Sequence, residues 1–231
     1  MTRSLSELAD AGAPAVGGAP AGRAYAGESQ LERVARRRLQ FLDAGLQVFG
    51  TSGYRTATVR QLCRQAELTD RYFYESFENT EDLLVAVYER EFDHLQQAVL
   101  AALADEAALR DPMVAVERAL NAVFEMASEP RVARVCWLEV LGVSDRVNSV
   151  YTRNIERFAA MVVAFARRQF STEEIDETES RMLGIAMIGA VSQPIAHWLL
   201  GGYREDRAKL VAATSRVFRG VIDGLPSEPG V

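Results

Sequence analysis

Apolar side chains in the first part of this chain recur at steps of three and four residues, the spacing that lines one face of an α-helix. Between residues 31 and 49 this face is carried by Ala35, Leu39, Leu42, Leu46 and Phe49. The glycine-rich segment 50–53 follows at once, and glycine is a poor helix former. The pattern therefore predicts an amphipathic helix over 31–49 that ends at this segment.

Two short helices are predicted immediately afterwards. Thr58 followed three residues later by Gln61 has the spacing of a capping box, which begins a helix. The buried face of this helix would contain Val59, Leu62, Cys63 and Ala66. Residues 67–68 make a tight connection, and Thr69 can then cap a second short helix. Two short helices with so brief a connection indicate a helix-turn-helix.

A long helix is predicted from Thr80, which can cap it, and its inward side is mostly apolar. That side contains Leu84, Val87, Glu91, Leu95 and Val99. Further helices are expected at 112–128, 131–142, 146–170, 177–202 and 206–223. No sustained two-residue alternation, the pattern of strands, occurs along the chain. The fold class predicted is all-α, with a three-helix module over 31–80 joined to a larger helical domain over 81–231.

Composition indicates a folded protein whose charge is unevenly divided. The chain has 231 residues, 48% of them hydrophobic, which is enough to bury a substantial core. Residues 31–80 carry 8 basic and 6 acidic side chains, whereas residues 81–231 carry 16 and 23. A slightly basic segment before an acidic body is what a localised polyanion contact would leave. The net charge of -6 argues against nonspecific polyanion binding over the whole surface.

The first 30 residues and the two cysteines bear on the compartment. Residues 1–30 form an Ala/Gly/Pro tract, which predicts a disordered leader and differs from a secretory signal. Cys63 and Cys136 lie far apart with no further cysteine, so neither a disulfide framework nor a zinc site is indicated. We expect a cytoplasmic protein without a metal or cofactor.

In a helix-turn-helix the second helix lies in the major groove of DNA, with its first residues over the base edges. Here those residues are Thr69, Asp70, Arg71, Tyr72 and Tyr74. Arg71 can offer two donors to a guanine edge, and Asp70 can accept from a cytosine amine. An arginine cluster at 33 and 36–38 can contact phosphates, although a solvated arginine face gives the same pattern.

The residues of this region also carry a family resemblance. The positions concerned are Phe49, Gly53, Tyr54, Thr56, Thr58, Val59, Ala66, Thr69, Phe73, Tyr74, Phe77, Glu81, Leu83 and Leu84. Over about residues 36–90 they resemble the DNA-binding region of TetR-family regulators. The resemblance implies a homodimeric repressor on a double-stranded, palindromic operator, released when a small molecule binds the larger domain. The DNA contacts it carries over are Arg60, Thr69, Asp70, Arg71, Tyr72, Tyr74 and Thr80.

Three positions depart from the family pattern. The family usually has glycine in the turn where this chain has Glu67, and histidine where it has Ser76. It has a phosphate-binding lysine where this chain has Thr80. A positive φ at Glu67 would cost about 1 kcal/mol, and Thr80 can donate only a neutral hydrogen bond. A helical small-molecule or protein interaction module that has lost operator binding is therefore an alternative.

Large apolar side chains of the body are candidates for a ligand pocket, because such sites are mostly apolar with few polar groups. The candidates are Phe92, Phe124, Met126, Trp137, Tyr151, Phe158, Met187 and His197. Core packing is the competing explanation for each. Trp137 and His197 stand out because each brings a polar atom that a buried site must satisfy. The expected effector is an apolar small molecule, whose identity the sequence does not reveal.

The segment from Met182 to Tyr203 has no formal charge and is long enough to span a membrane. Polar residues and a proline, which should kink the helix, interrupt it: Ser192, Gln193, Pro194 and His197. Small residues would let two helices approach closely: Gly184, Ala186, Gly189 and Ala190. We interpret the segment as a dimer helix rather than a membrane span, paired with the helix at 206–223 in a four-helix contact between subunits.

An enzyme is the remaining alternative. Glu91 and His94 have the Glu-x-x-His spacing of di-iron helical bundles, but such a site needs two of these pairs. The other histidine, His197, has Pro194 three positions before it. Glycine-rich phosphate loops and metal-binding cysteine pairs are also missing from the sequence. The sequence therefore does not favour catalysis.

Overall fold

The computed structural model of the chain describes residues 29–104, 110–169 and 175–224, and within these ranges it contains helices and no β-strand. They are α1 (Gln30–Ser52), α2 (Val59–Ala66), α3 (Asp70–Ser76), α4 (Thr80–Leu103), α5 (Pro112–Ala127), α6 (Pro130–Arg134), α7 (Asp145–Gln169), α8 (Glu177–Leu200) and α9 (Arg207–Asp223). A 3-10 turn, Tyr54–Thr56, follows α1, and a π-helical turn, Val135–Glu139, follows α6. The all-α prediction is confirmed. The predicted leader lies outside the described residues, except for its last two.

The first helix is longer than its apolar pattern predicts. Ser29 begins α1 in a capping box with Glu32, whose carboxylate accepts the Ser29 N–H at 2.6 Å. The helix then continues through Gly50 and ends before Gly53, whose φ of 86° belongs to the left-handed region. The predicted end of the helix within segment 50–53 is confirmed, but Gly53 ends it and Gly50 does not. Gly50 is a packing residue, because a Cβ there would lie 2.5 Å from the Cβ of Arg131 in α6.

Local caps build the helix-turn-helix. The predicted capping box is confirmed: the Thr58 hydroxyl accepts the Gln61 N–H at 3.2 Å, and the Gln61 side chain accepts the Thr58 N–H at 3.0 Å. Glu67 ends α2 in the left-handed conformation, with a φ of 55°. Thr69 occupies the N-cap of α3 without a side-chain hydrogen bond, so its predicted capping bond is not formed.

The cap of α4 differs from the sequence prediction. Asn79, not Thr80, is the N-cap residue, and its side-chain oxygen accepts the Asp82 N–H at 2.9 Å. Asn79 has the extended backbone that an N-cap requires, whereas Thr80 is already the first residue of the helix. The assignment of the cap to Thr80 was therefore wrong by one position.

Aromatic rings hold α1 and α3 together. Phe41 and Phe73 are fully buried, with ring centroids 5.4 Å apart in an edge-to-face arrangement, and Phe77 lies 6.4 Å from Phe41. Such pairs contribute about 0.5–1.5 kcal/mol beyond the burial of their area. Leu83 and Leu84 of α4 are fully buried in the same cluster. The start of α4 therefore packs with the helix-turn-helix, and the rest of the helix enters the body.

Helices α4 and α7 run parallel, and arginine–carboxylate pairs fix their register. The pairs, each 64 positions apart, are Arg146–Asp82, Arg153–Glu89 and Arg157–Asp93. Exposed pairs of this kind contribute only about 0–1 kcal/mol each to stability. Their constant spacing nevertheless shows how the two helices are aligned. Because the separation is constant, residue 167 of α7 lies level with residue 103 of α4.

The remaining helices form the body around this pair. α5 packs against α4 and α9, while α8 packs against α7. The helices predicted at 112–128, 146–170, 177–202 and 206–223 are confirmed, with small shifts at their ends. The helix predicted at 131–142 is replaced by α6 and the π-turn. Gly184, predicted to serve the dimer contact, instead lies inside the subunit, where a Cβ would be 3.0 Å from the Ala159 carbonyl oxygen of α7.

Helix α8 is long and apolar enough to cross a membrane by those two criteria, and it is the one such helix among the described residues. Its mean hydropathy over the relevant window is 1.4, and 28% of that window is buried inside the chain. It continues through Pro194 to Leu200. Buried, half-buried and exposed residues alternate along it, so one side packs in the subunit and another is exposed.

The close approach at Gly50 generates a stability prediction. Gly50→Ala should lower the free energy of unfolding by about 1–2 kcal/mol, because overpacking against the Arg131 backbone outweighs the better helix propensity of alanine. Urea denaturation followed by circular dichroism measures the change. The control is Ser52→Ala, an exposed position of the same helix, which should stay within about 0.5 kcal/mol of the parent. An unchanged midpoint for Gly50→Ala would contradict the packing described.

Candidate nucleic-acid interface and ligand cavity

The N-terminal half of α3 forms an exposed surface over a buried aromatic base. Arg71 has 84% of its side chain exposed, and Tyr74 is 61% exposed. Thr69 and Asp70 are exposed beside them, while Phe73 is fully buried beneath. Four of the five residues predicted to read bases thus share one outward surface, which fits the position of a recognition helix in a major groove.

The fifth residue, Tyr72, has a different environment. It is half-buried, and the guanidinium of Arg37 from α1 lies 4.1 Å from the centre of its ring. Arg37 also approaches the Glu75 carboxylate at 3.7 Å, and Glu75 accepts from Arg71 Nε at 3.0 Å. A cation–π contact and an ion pair therefore brace α3 against α1, and Glu75 orients Arg71 when no DNA is bound.

The arginine cluster of α1 has more than one role. Arg38 donates to the Ser76 carbonyl oxygen at 2.8 Å and stacks 4.3 Å above the Phe77 ring, so it ties down the end of α3. Arg36 donates to Gln40, and Arg33 is exposed. The sequence interpretation of the whole cluster as phosphate contacts is thus too broad. Two of its members, Arg37 and Arg38, contact aromatic rings and therefore have a structural role.

The two other predicted contacts lie at the edges of this surface. Arg60 is exposed on α2, and Thr80 is half-buried as the first residue of α4. The first turn of α4 also carries Glu81 and Asp82, so Thr80 can offer a phosphate only neutral hydrogen-bond donors.

The body contains an elongated cavity with a volume of about 180 Å³. Its wall comes from α4, α5, the π-turn, α7, α8 and α9 and is almost entirely apolar. Phe92, Trp137, Tyr151, Phe158 and Met187, predicted as pocket residues, all belong to this wall. An apolar wall from many helices is what a long hydrophobic ligand requires.

Three predicted pocket residues lie outside this wall, which corrects that part of the prediction. Phe124 is fully buried, with its ring 6.3 Å from that of Trp198. Met126 packs against the core near the end of α5, and His197 is exposed on α8. The apolar period of a helix marks a buried residue but does not distinguish a core from a cavity wall.

The cavity wall contains few polar side chains, among them the phenols of Tyr88 and Tyr151 and the charged Arg167. The Tyr88 ring stacks on Tyr151 with centroids 6.4 Å apart, and its hydroxyl is buried without a hydrogen-bond partner in the described structure. Burial raises the pKa of both phenols and of the Cys136 thiol. Arg167 is the one charged residue among the described residues of the wall.

Neither cysteine is suited to thiolate chemistry. Burial, with a contribution from nearby Asp70, raises the pKa of Cys63 to about 11, and burial keeps Cys136 protonated as well. Both thiols are free and buried, which agrees with their interpretation as small apolar residues. Among the described residues, no three His, Cys, Asp or Glu side chains are grouped for a metal ion.

Glu91, half of the Glu-x-x-His pair, has a structural environment. It is buried and accepts from Arg90 Nε at 2.8 Å, while His94 Nδ1 lies 3.5 Å from its other oxygen. Arg90 in turn donates to Asp43 of α1 at 2.7 Å. The carboxylate therefore takes part in an ion-pair network between α4 and α1.

A second contact joins the helix-turn-helix to the body, and the sequence analysis missed it. Glu139, at the end of the π-turn, accepts the Tyr54 N–H at 2.7 Å and the Arg134 Nε–H at 2.7 Å. Arg134 also donates to the Thr51 carbonyl oxygen at 3.1 Å. These partners are 83 and 85 positions apart in the chain. Local patterns contain no signal for a contact of this range.

Comparisons with known proteins agree with this architecture. Residues 41–87 match the profile described as "Bacterial regulatory proteins, tetR family". The chain is 21% identical over 193 residues to the "Fatty acid metabolism regulator protein" of Bacillus subtilis (strain 168), covering 81% of this chain and 94% of that protein. It is 26% identical over 151 residues to the "HTH-type transcriptional regulator TcmR" of Streptomyces glaucescens, covering 65% and 60%.

Solved structures of other proteins share the fold, among them two regulators named FadR. The fatty acid degradation regulator FadR from Bacillus halodurans has a TM-score of 0.69 at 18% identity, covering 83% of this chain and 97% of that one. FadR from Bacillus subtilis, solved in complex with stearoyl-CoA, has a TM-score of 0.66 at 18% identity, covering 81% and 99%.

The helix-turn-helix, its exposed recognition helix and the attached helical body define a DNA-binding regulator. The matched segment 41–87 lies within α1 to α4. Over these residues the chain matches the TetR family of bacterial regulatory proteins.

Proposed function

We propose that the protein is a ligand-responsive transcriptional repressor that binds a palindromic operator as a homodimer. In this proposal residues 31–80 read the DNA, and residues 81–231 bind the ligand and form the dimer. The observation that carries it is the exposed start of α3, held on its aromatic base and braced from α1. A cytoplasmic location and the absence of catalysis and of a membrane partner belong to the same proposal.

The chemistry of the exposed surface supports sequence-specific DNA reading. Arg71 has the two donors that a guanine edge requires, and Asp70 can accept from cytosine. Arg71 is held by Glu75 through an exposed ion pair, which is worth little in water. Exchanging Glu75 for a base edge is therefore inexpensive, and the departures at Glu67, Ser76 and Thr80 leave this surface intact.

An exposed, uncharged stripe on α8 supports the homodimer. It consists of Met182, Ala186, Gly189, Gln193, His197 and Leu200, all exposed at steps of three and four. Leu200 is 74% exposed and Met182 45%, and a Cβ on Gly189 would meet nothing within 4 Å. Ala213, Val217 and Gly220 continue an exposed stripe on α9. Two helices with small and apolar outer faces suit a four-helix contact between two copies.

The cavity supports a long apolar ligand. We take a long-chain acyl-CoA as the candidate, because the Bacillus subtilis FadR structure contains stearoyl-CoA and shares this fold. The apolar wall suits the acyl chain, and Arg167 supplies a cation where an anionic head group would emerge. An acyl-CoA is an amphiphile, which extends the apolar effector expected from the sequence.

The first test selects bound fragments from random duplex DNA and measures their affinity. A palindrome should be enriched, since a twofold dimer presents two recognition helices. Arg71→Ala should weaken binding to it by about 1–3 kcal/mol per contacted guanine. Arg204→Ala, an exposed arginine in the turn after α8, is the control and should bind as the parent does. Failure to enrich any sequence at low salt, with the protein folded, would refute the operator function.

The second test concerns the dimer. Ala186→Arg places a charge in the middle of the uncharged stripe, and the twofold would bring two such charges together. We expect light scattering to report one chain for this variant and two for the parent. Ala98→Arg, the same change at an exposed position of α4, should leave the dimer intact. A dimeric Ala186→Arg variant would place the contact elsewhere.

A further inference from the structure

The cavity has a defined long axis. Tyr151 and Arg167 both line it and lie 16 residues apart on α7, which is about 24 Å along a helix. The fixed register of α4 and α7 places Leu103 level with Arg167, and both line the cavity there. At the other end the Tyr88 ring stacks on Tyr151. The charged end and the Tyr88 end are therefore opposite.

The π-turn lies at the Tyr88 end. Cys136 and Trp137 line the cavity. The turn contacts the helix-turn-helix, where α4 also begins, so it lies near the end of the cavity to which α4 contributes Tyr88. Two residues beyond Trp137, Glu139 holds the Tyr54 N–H of the helix-turn-helix at 2.7 Å. One turn of backbone thus touches the cavity on one side and the DNA-binding module on the other. π-Helical turns are rare and are often found at functional sites.

We propose that Trp137 is the residue through which the distal end of a bound acyl chain releases the operator, by shifting the π-turn that carries Glu139. The head group then lies at the Arg167 end and the chain runs toward Trp137. This inference rests on the proposed function, because it assumes an acyl-CoA effector and an operator.

The length of the cavity lets the length of the acyl chain test this mechanism. An extended hydrocarbon advances about 1.25 Å per carbon, from a C–C bond of about 1.5 Å. A stearoyl chain then spans about 21 Å and a dodecanoyl chain about 14 Å. Against the separation of about 24 Å between the two ends, only the longer chain extends close to the Tyr88 end, where Trp137 lines the cavity. Trp137 is half-buried and packs against the core, so a chain that arrives beside it contacts its indole.

The hydrogen bonds of Glu139 connect a movement of the π-turn to the helix-turn-helix. Glu139 is only 13% exposed and is shared between Arg134 and Tyr54. Charge-assisted hydrogen bonds of this kind depend on direction and distance, so a small shift of the turn weakens them. Losing the bond to Tyr54 frees the connection between α1 and α2, and the spacing of two recognition helices in a dimer changes with it.

The experiment measures operator affinity with and without saturating stearoyl-CoA or dodecanoyl-CoA, and calorimetry measures the binding of each acyl-CoA. The ratio of the two operator dissociation constants is the coupling factor. For the parent we expect about tenfold or more with stearoyl-CoA, and a factor near one with bound dodecanoyl-CoA. In Trp137→Ala the factor for stearoyl-CoA should fall toward one. Arg167→Gln should weaken binding of both acyl-CoAs and leave the factor at saturation unchanged.

A spectroscopic measurement covers the case in which Trp137→Ala does not fold. The chain has two tryptophans, and Trp198 lies outside the cavity wall. In Trp198→Phe the remaining emission reports Trp137, and it should shift with stearoyl-CoA but not with dodecanoyl-CoA. Trp137→Phe, which keeps an aromatic ring, should retain part of the coupling factor.

The role of Trp137 and the proposed repressor function can fail separately in these experiments. If stearoyl-CoA binds and releases the operator equally in the parent and Trp137→Ala, the role of Trp137 is refuted and the proposed function stands. The same follows if dodecanoyl-CoA releases DNA as fully as stearoyl-CoA, or if Trp137 emission does not change. If neither acyl-CoA binds, or no operator is selected, the proposed function and this inference fail together.

Discussion

The contact between the end of α1 and the segment that begins with α6 is the constraint on which the rest of the structure depends. Gly50 allows Arg131 to approach within 2.5 Å of the position of a Cβ, and Arg131 donates to Gln47 at 2.6 Å. The Arg134–Glu139 pair then holds the turn after α1. Because α4 also runs from the aromatic core into the cavity wall, the recognition helix has two connections to the ligand site. Its orientation is therefore a property of the whole chain.

Most of the helices could be predicted from apolar spacing, caps and prolines, because these signals act within a few residues. Thr58–Gln61 is the clearest case, since both hydrogen bonds of its capping box are formed. Contacts between distant segments were not predictable in this way. Gly50 looked like a helix end because its packing partner is far away in sequence, and the π-turn interrupts a stretch whose apolar period is continuous. The exposed face of α3 followed from the helix-turn-helix geometry, whereas the bracing of Tyr72 by Arg37 depends on tertiary structure.

The two functional surfaces use opposite physical chemistry. The DNA surface keeps its cations exposed, where ion pairs are weak and are readily exchanged for phosphates and bases. The cavity is almost entirely apolar, and its one cation among the described residues lies at an end. Coupling between them requires an element that touches both, and in the described structure α4 and the π-turn meet this condition. A ligand can shift DNA binding only as far as it prefers one arrangement of these elements over the other.

The most direct test of the central claim, that the cavity and the DNA surface are energetically coupled, is a measurement of reciprocity. Operator affinity is measured with and without stearoyl-CoA, and stearoyl-CoA affinity with and without the operator, at one salt concentration. Linkage requires that the two ratios be equal. The account predicts that each ligand weakens the other by the same factor, about tenfold or more. Two independent affinities, with both ratios equal to one, would contradict it.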